Sequence, residues 1–152
     1  MRNRIWKLDE SKTLCADLIL PYALPSYWTW SAMHWSKRVS AQKRAQQYLD
    51  LWYARNDIRP FGQPVLIFLT VWRRRLRGDE PNLVTPFDKI ILDALTRPSG
   101  NKKRGMGIIV DDSPQYMKLL PVTLRKADPK IGEQTVVRFY PWRKGESLTI
   151  EL

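Results

Sequence analysis

The run Val65-Leu66-Ile67-Phe68-Leu69-Thr70-Val71-Trp72 constrains the fold more than any other stretch of this chain. Only Thr70 interrupts its apolar character, and β-branched and aromatic side chains dominate it, which suits a central strand covered on both faces. It falls far short of the ~20 apolar residues that a membrane helix needs, and no span is expected. The run continues into Arg73-Arg74-Arg75-Leu76-Arg77, a basic extension predicted to end at Gly78.

Periodicity supplies what can pack on that strand. Ala41, Ala45, Tyr48, Leu49, Trp52 and Tyr53 recur at helical spacing, with Lys37, Arg38, Lys43 and Arg44 mostly off the stripe. Residues 37–55 are therefore predicted as an amphipathic helix with a basic flank, capped by Ser36 or Ser40. A second helix is predicted over 86–96, with Thr85 as N-cap, Pro86 in the first turn, Asp88 three residues after the cap, and an apolar stripe of Phe87, Ile90, Ile91, Ala94 and Leu95. Strands are expected from Cys15 to Pro21, from Met106 to Val110, and near 117–125, 134–140 and 147–151, with breaks at Asp128-Pro129 and Lys144-Gly145. Between the first strand and first helix, residues 25–35 read as an aromatic loop whose rings cover the edge of the core, with a base-stacking surface as the alternative. Two main helices are thus expected, and the length of 152 residues suits a single domain.

The chain carries 26 Lys+Arg against 15 Asp+Glu, a net charge of +11 over 152 residues. On a folded domain that excess favours a polyanionic partner, because neutralising phosphates releases condensed counterions. One cysteine, Cys15, excludes an intramolecular disulfide framework, and with a single histidine, His34, it cannot form a structural zinc site. The basic start is not followed by an apolar stretch of signal-peptide length, so the cytoplasm is the expected compartment. His34 is expected to be packed or hydrogen-bonded.

Acid is concentrated within this basic chain. Spreading 15 acids evenly over 152 residues would put about three between positions 79 and 112; six occur there, Asp79, Glu80, Asp88, Asp93, Asp111 and Asp112. Carboxylates brought together from strand and helix ends are what Mg²⁺ needs, since it takes hard oxygen ligands and shares its remaining coordination with water and substrate phosphate. The expected reaction is metal-assisted phosphodiester hydrolysis, with a lysine ammonium offsetting charge on the phosphorane or the leaving oxygen. Nucleophilic triads would have only His34 to draw on, and neither a GxSxG elbow nor a phosphate-cradling P-loop is present. Arg73, Arg74, Arg75 and Arg77 are expected to alternate across the strand and contact phosphate, Lys37 and Arg38 to do so from the first helix, and Lys102, Lys103 and Arg104 from a basic turn.

Three segments together, Asp79-x-x-Asn82-Leu83-Val84, Lys89-Ile90-Ile91-Leu92-Asp93-Ala94-Leu95 and Gly107-Ile108-Ile109-Val110-Asp111-Asp112-Ser113-Pro114-Gln115-Tyr116, resemble the RusA-type Holliday junction resolvases, particularly phage-borne members. Leu20-Pro21-Tyr22, Tyr27-Trp28 and Ser36-Lys37 extend the resemblance, which runs from about residue 15 to 125. It implies a small homodimeric α+β fold with a mixed sheet, which binds four-way or branched DNA and nicks opposing strands with Mg²⁺ or Mn²⁺. Asp79, Asp111 and Asp112 would hold the metal, Lys89 would stabilise the transition state, and Asn82 would lie at the DNA. One position departs from the pattern. Pro81 stands where the family has a second aspartate, and it restricts Glu80 before it to extended conformations. Glu80 or Asp88 is then left to supply the missing oxygen, and the alternative is a catalytically impaired DNA-binding module.

Overall fold

A computed structural model describes residues 5–7, 16–76, 83–96, 105–109, 115–142 and 149–151. In chain order the strands are β1 (Ile5–Lys7), β2 (Ala16–Leu20), β3 (Val65–Arg73), β4 (Met117–Leu119), β5 (Thr123–Lys126), β6 (Gln134–Pro141) and β7 (Thr149–Glu151). The helices are α1 (Tyr27–Ala32), α2 (Trp35–Arg55) and a composite helix, α3, over residues 84–95.

β3 takes the central place that its apolar run predicts. It pairs antiparallel with β6 along its length, from Val65 opposite Pro141 to Trp72 opposite Gln134. Its other edge pairs in parallel with β4, through Val65–Ile67, and then with β5, through Thr70–Arg73. Pro121 explains why this edge is split: it has no N–H to give the ladder, whereas the preceding Leu120 N–H still reaches the Ile67 carbonyl at 3.0 Å. β2 completes the mixed sheet by pairing antiparallel with β6. β1 and β7 pair antiparallel as a separate two-stranded sheet.

Alternation decides which face of the sheet is dry. Ala16, Leu18 and Leu20 of β2, Val65, Ile67, Leu69 and Val71 of β3, and Val137 and Phe139 of β6 enter one core with the helices. From α2 that core takes Ala45, Leu49 and Trp52; from α3 it takes Phe87, Ile90, Ile91, Leu92 and Leu95. The Trp52 indole lies 6.1 Å from the Phe139 ring and donates to the Asp17 carbonyl at 2.6 Å, tying α2 to β2. Thr135 is fully buried and fully used, accepting from the Leu24 N–H at 3.0 Å and donating to the Tyr22 carbonyl at 2.8 Å.

Several local expectations change. The stretch read as an aromatic loop is mostly helix. Ser26 accepts from the Thr29 N–H at 3.3 Å and starts α1, which ends at Met33. The cap of α2 is His34, not Ser36 or Ser40; its Nδ1 accepts from the Ser36 N–H at 3.3 Å, so the helix begins two residues early. At the other end, Asp57 takes the left-handed conformation, φ 49°, just beyond the Asn56 cap. Tyr53, placed on the apolar stripe by spacing, is exposed, whereas its neighbour Trp52 is buried against the sheet.

β3 ends at Arg73, and Arg74 and Arg75 form a bend, so the predicted extension to Gly78 with arginines alternating across two faces does not form beyond Arg73. The strand expected over Met106–Val110 reduces, among the described residues, to a single parallel bridge between Thr96 and Ile109. Gly107, at φ 70°, turns the chain there into a conformation that an extended strand does not use.

The parallel pairing of β3 with β4 has a topological consequence. Parallel neighbours need a long crossover, and here the connection runs through α3. All six acids between positions 79 and 112 belong by sequence to that crossover.

Candidate nucleic-acid interface

α3 is where the described part of the crossover carries chemistry. The helix starts at Val84 with Leu83 as its cap residue, which makes no side-chain capping bond. Thr85 therefore lies inside the helix, and the Thr85–Asp88 capping pair expected from the sequence is not formed. After one α-helical turn, Val84–Phe87, the backbone widens to a π-helical stretch, Asp88–Leu92, and closes with Asp93–Leu95. Such stretches are uncommon and gather at functional sites. Lys89 is the second residue of this one.

A side chain from α2 holds the widened turn. The Gln42 amide donates to the Lys89 carbonyl at 3.1 Å. Ile90, Ile91 and Leu92 are buried, so the backbone is anchored on its inner side while the Lys89 ammonium stays exposed, 4.0 Å from the Asp88 carboxylate. That ion pair is half in water and contributes little to stability. It leaves the ammonium available to an anion.

Lys89 lines an open cleft of about 490 Å³ between α1, the start of α2 and α3. Opposite it are Tyr27, Trp30, Trp35, Arg38 and Val39. Arg38 is fixed by the end of α1: its Nε donates to the Trp30 carbonyl at 3.0 Å and its Nη2 to the Ser31 carbonyl at 2.7 Å, with the guanidinium 5.6 Å from the Trp30 ring. The Trp30 carbonyl also accepts from the Met33 N–H at 3.2 Å, and the two Arg38 bonds use only part of the five-donor guanidinium fork. Among the described residues that line the cleft, none is acidic.

The other cations expected at DNA have varied surroundings. Lys37 is exposed in the first turn of α2. Arg73 is half-buried, its Nη2 donates to the Leu24 carbonyl, and burial pushes its pKa down against the opposing pull of Glu133. Arg74 is exposed, and its backbone N–H donates to the Glu133 carboxylate at 3.0 Å. Arg75 is exposed in the bend after β3. The structure thus brings Arg38 and Lys89 to one cleft and gives Arg73 a structural bond. Arg77, Asp79, Glu80, Asn82, Lys102, Lys103, Arg104, Asp111 and Asp112 lie outside the described residues, as does Pro81.

Arg73→Met is accordingly expected to lower unfolding stability by about 1–3 kcal/mol, since it leaves the Leu24 carbonyl without its donor. In DNA titrations the same variant should keep the salt slope of the parent, whereas losing a phosphate contact reduces that slope by about one. Urea denaturation and binding measured across a salt series check both halves; an unchanged stability with a smaller slope would make Arg73 a DNA contact instead.

Asp79, Glu80, Asp111 and Asp112, the carboxylates expected to hold Mg²⁺, are oxygen donors of the kind that ion takes, with no thiolate or imidazole among them for a softer ion. Among the described residues no group of three or more His, Cys, Asp or Glu is placed to hold a metal. The described residues nearest in sequence to Asp79 and Asp111 are Leu76, which is exposed, and Ile109, which is buried in the core.

The sequence left residues 25–35 between a cover for the core edge and a base-stacking surface, and did not show them as the helical wall of a cleft. The available signal was Pro25-Ser26 ahead of Tyr27-Trp28-Thr29-Trp30: with Ser26 as a cap, tryptophans two apart point to opposite sides of a helix, so only one can enter the core. Trp30 does, at 6% exposure, while Trp28 is 69% exposed. Among the described residues, no helix is long and apolar enough to cross a membrane. Compared with known families and with curated proteins, the chain matches no family model and no curated sequence.

Proposed function

We propose that this chain is a Mg²⁺-dependent, structure-specific endodeoxyribonuclease of the RusA type, acting on four-way or branched DNA as a homodimer in recombination and repair. The observation that carries the reading is the position of Lys89. The lysine that the resemblance assigns to the transition state sits on a π-helical turn and lines a cleft that also holds Arg38 and several aromatic rings. The net charge of +11 and the gathering of acids in the β3–β4 crossover support it.

In this reading Asp79, Asp111 and Asp112, with Glu80 in place of the carboxylate that Pro81 lacks, hold the cation. When bound, Mg²⁺ supplies Lewis-acid polarisation of the scissile phosphate and acidifies the attacking water. Water oxygen bonds to phosphorus as the bond from phosphorus to the leaving oxygen breaks, and the Lys89 ammonium offsets the charge that gathers there. Arg38, Lys37, Arg74 and Arg75, with Arg77, Asn82, Lys102, Lys103 and Arg104, hold the flanking backbone. These contacts give position and affinity without reading sequence.

Incubating a labelled four-way junction with the protein and Mg²⁺ tests the proposal. The parent protein should nick it, and Asp112→Asn should reduce the rate by about a hundredfold or more. Cleavage that persists in that variant removes the assigned site. Pro81 favours a second reading, a DNA-binding module without nuclease activity. Junction binding without nicking by the parent, together with nicking by Pro81→Asp, would select it.

A further inference from the structure

Trp28 and Trp35 are each 69% exposed, and Tyr27 and Val39 beside them are exposed as well. Large aromatic side chains left in water forfeit much of the hydrophobic stabilisation that burial would give. Tyr27, Trp35 and Val39 gather on one cleft rather than scatter, with Trp28 held against Tyr27 outside the cleft lining. Tyr27 and Trp28 meet edge to face at 5.7 Å, and Trp35 lies against His34 at 5.5 Å, so the rings restrain one another without covering their outer faces. Tyr27 and Trp35 line the same cleft as Arg38 and Lys89.

Cations interleaved with exposed rings distinguish this surface from an ordinary apolar docking groove. An apolar helix would leave the Arg38 and Lys89 charges to be desolvated without partners. A second copy of a chain with net charge +11 would bring like charge to the contact. A fully paired duplex presents phosphates but keeps its base faces stacked inside. Unpaired nucleotides satisfy both features, because each has a flat π-face for a ring and a phosphate for a cation.

We infer that the cleft between α1, the start of α2 and α3 binds unpaired bases of a DNA strand, stacking them on Trp35 and Tyr27 while Arg38 and Lys89 meet the adjoining phosphates. The inference rests on the DNA-binding reading and names the part of a branched substrate that this protein recognises: bases freed where strands exchange. Gln42 plays a positioning role, since its amide holds the Lys89 carbonyl. Lys89 then links base capture to the reacting phosphate.

The test is equilibrium binding of the full chain to three probes: an oligothymidine strand, a linear duplex, and a four-way junction with unpaired thymines at the crossover. Trp35→Ala should weaken oligothymidine binding by about tenfold or more, as loss of one stacked base does, with a much smaller change for duplex. Trp35→Phe should restore most of the loss, and oligothymidine should quench tryptophan fluorescence in the parent but less in Trp35→Ala. Equal losses on strand and duplex, or none on either, would overturn the base-stacking role while leaving DNA binding in place. A change from dimer to monomer on Trp35→Ala, seen by sedimentation, would overturn it in favour of a contact between copies. Absence of salt-dependent binding to all three probes would instead remove the underlying DNA reading, and the inference with it.

Discussion

Replacing Lys89 with methionine is expected to slow Mg²⁺-dependent nicking of a four-way junction by about 10²–10³-fold, the usual cost of removing one donor that stabilises developing charge. Affinity for the same junction should fall far less, because a single exposed cation contributes one phosphate contact among many. Methionine keeps the length and apolar stem of the side chain, so the π-helical turn, held through the Lys89 carbonyl by Gln42 and through Ile90 and Ile91 by the core, loses none of its described supports. Lys89→Arg, which retains the charge but broadens the head, should recover part of the rate. Single-turnover cleavage beside a binding titration separates the two effects. A binding loss as large as the rate loss would make Lys89 an anchor for DNA and no more.

The largest effect on stability is expected at Phe139. Its ring is fully buried near the C-terminal end of β6, 5.3 Å from Phe61 and 6.1 Å from Trp52, where the sheet, α2 and the loop before β3 meet. Phe139→Ala should cost about 3–5 kcal/mol, the sum of lost transfer energy and an incompletely collapsed cavity. Against a total stability on the order of 5–15 kcal/mol, that is enough to leave the variant close to unfolding at ordinary temperature. Phe139→Leu should recover most of it. Urea denaturation monitored by tryptophan fluorescence measures both, and a cost below about 1 kcal/mol for the alanine variant would contradict the packing described.

What the sequence made legible follows from which physical signals are local. The apolar run at 65–72, the short strand at 15–21 and the alternation at 134–140 placed the strands of the sheet, because a strand covered on both faces reads as a continuous apolar run and one with a wetter face alternates. The stripe of Ala45, Leu49 and Trp52 placed α2 on that sheet. The parallel register of β4 and β5 on β3 was not legible, since nothing local distinguishes a parallel neighbour from an antiparallel one.

Caps misled in an instructive way. Ser36, Ser40 and Thr85 were all chemically able to cap, but the helices started where buried side chains needed them: Trp30 drew Ser26 into capping a short helix, and Leu83, almost fully buried, set the start of α3 ahead of Thr85. The π-helical stretch at Asp88–Leu92 could not be read from apolar spacing, which Ile90 and Ile91 satisfy in either helical form. Of the candidate site, Lys89 and Arg38 line one cleft, a juxtaposition that no local signal in the sequence announces. Arg73 shows why a run of arginines is ambiguous: the first of them is still inside β3, close enough to the core to serve the Leu24 carbonyl.

Mn²⁺ soaked into crystals of the protein, located by anomalous diffraction, tests the account most directly. A single ion held jointly by carboxylate oxygens of Asp79 and Asp112, on the side of α3 that carries Lys89, is the predicted result. Asp79 and Asp112 on opposite sides of the molecule, with no ion shared between them, would contradict it.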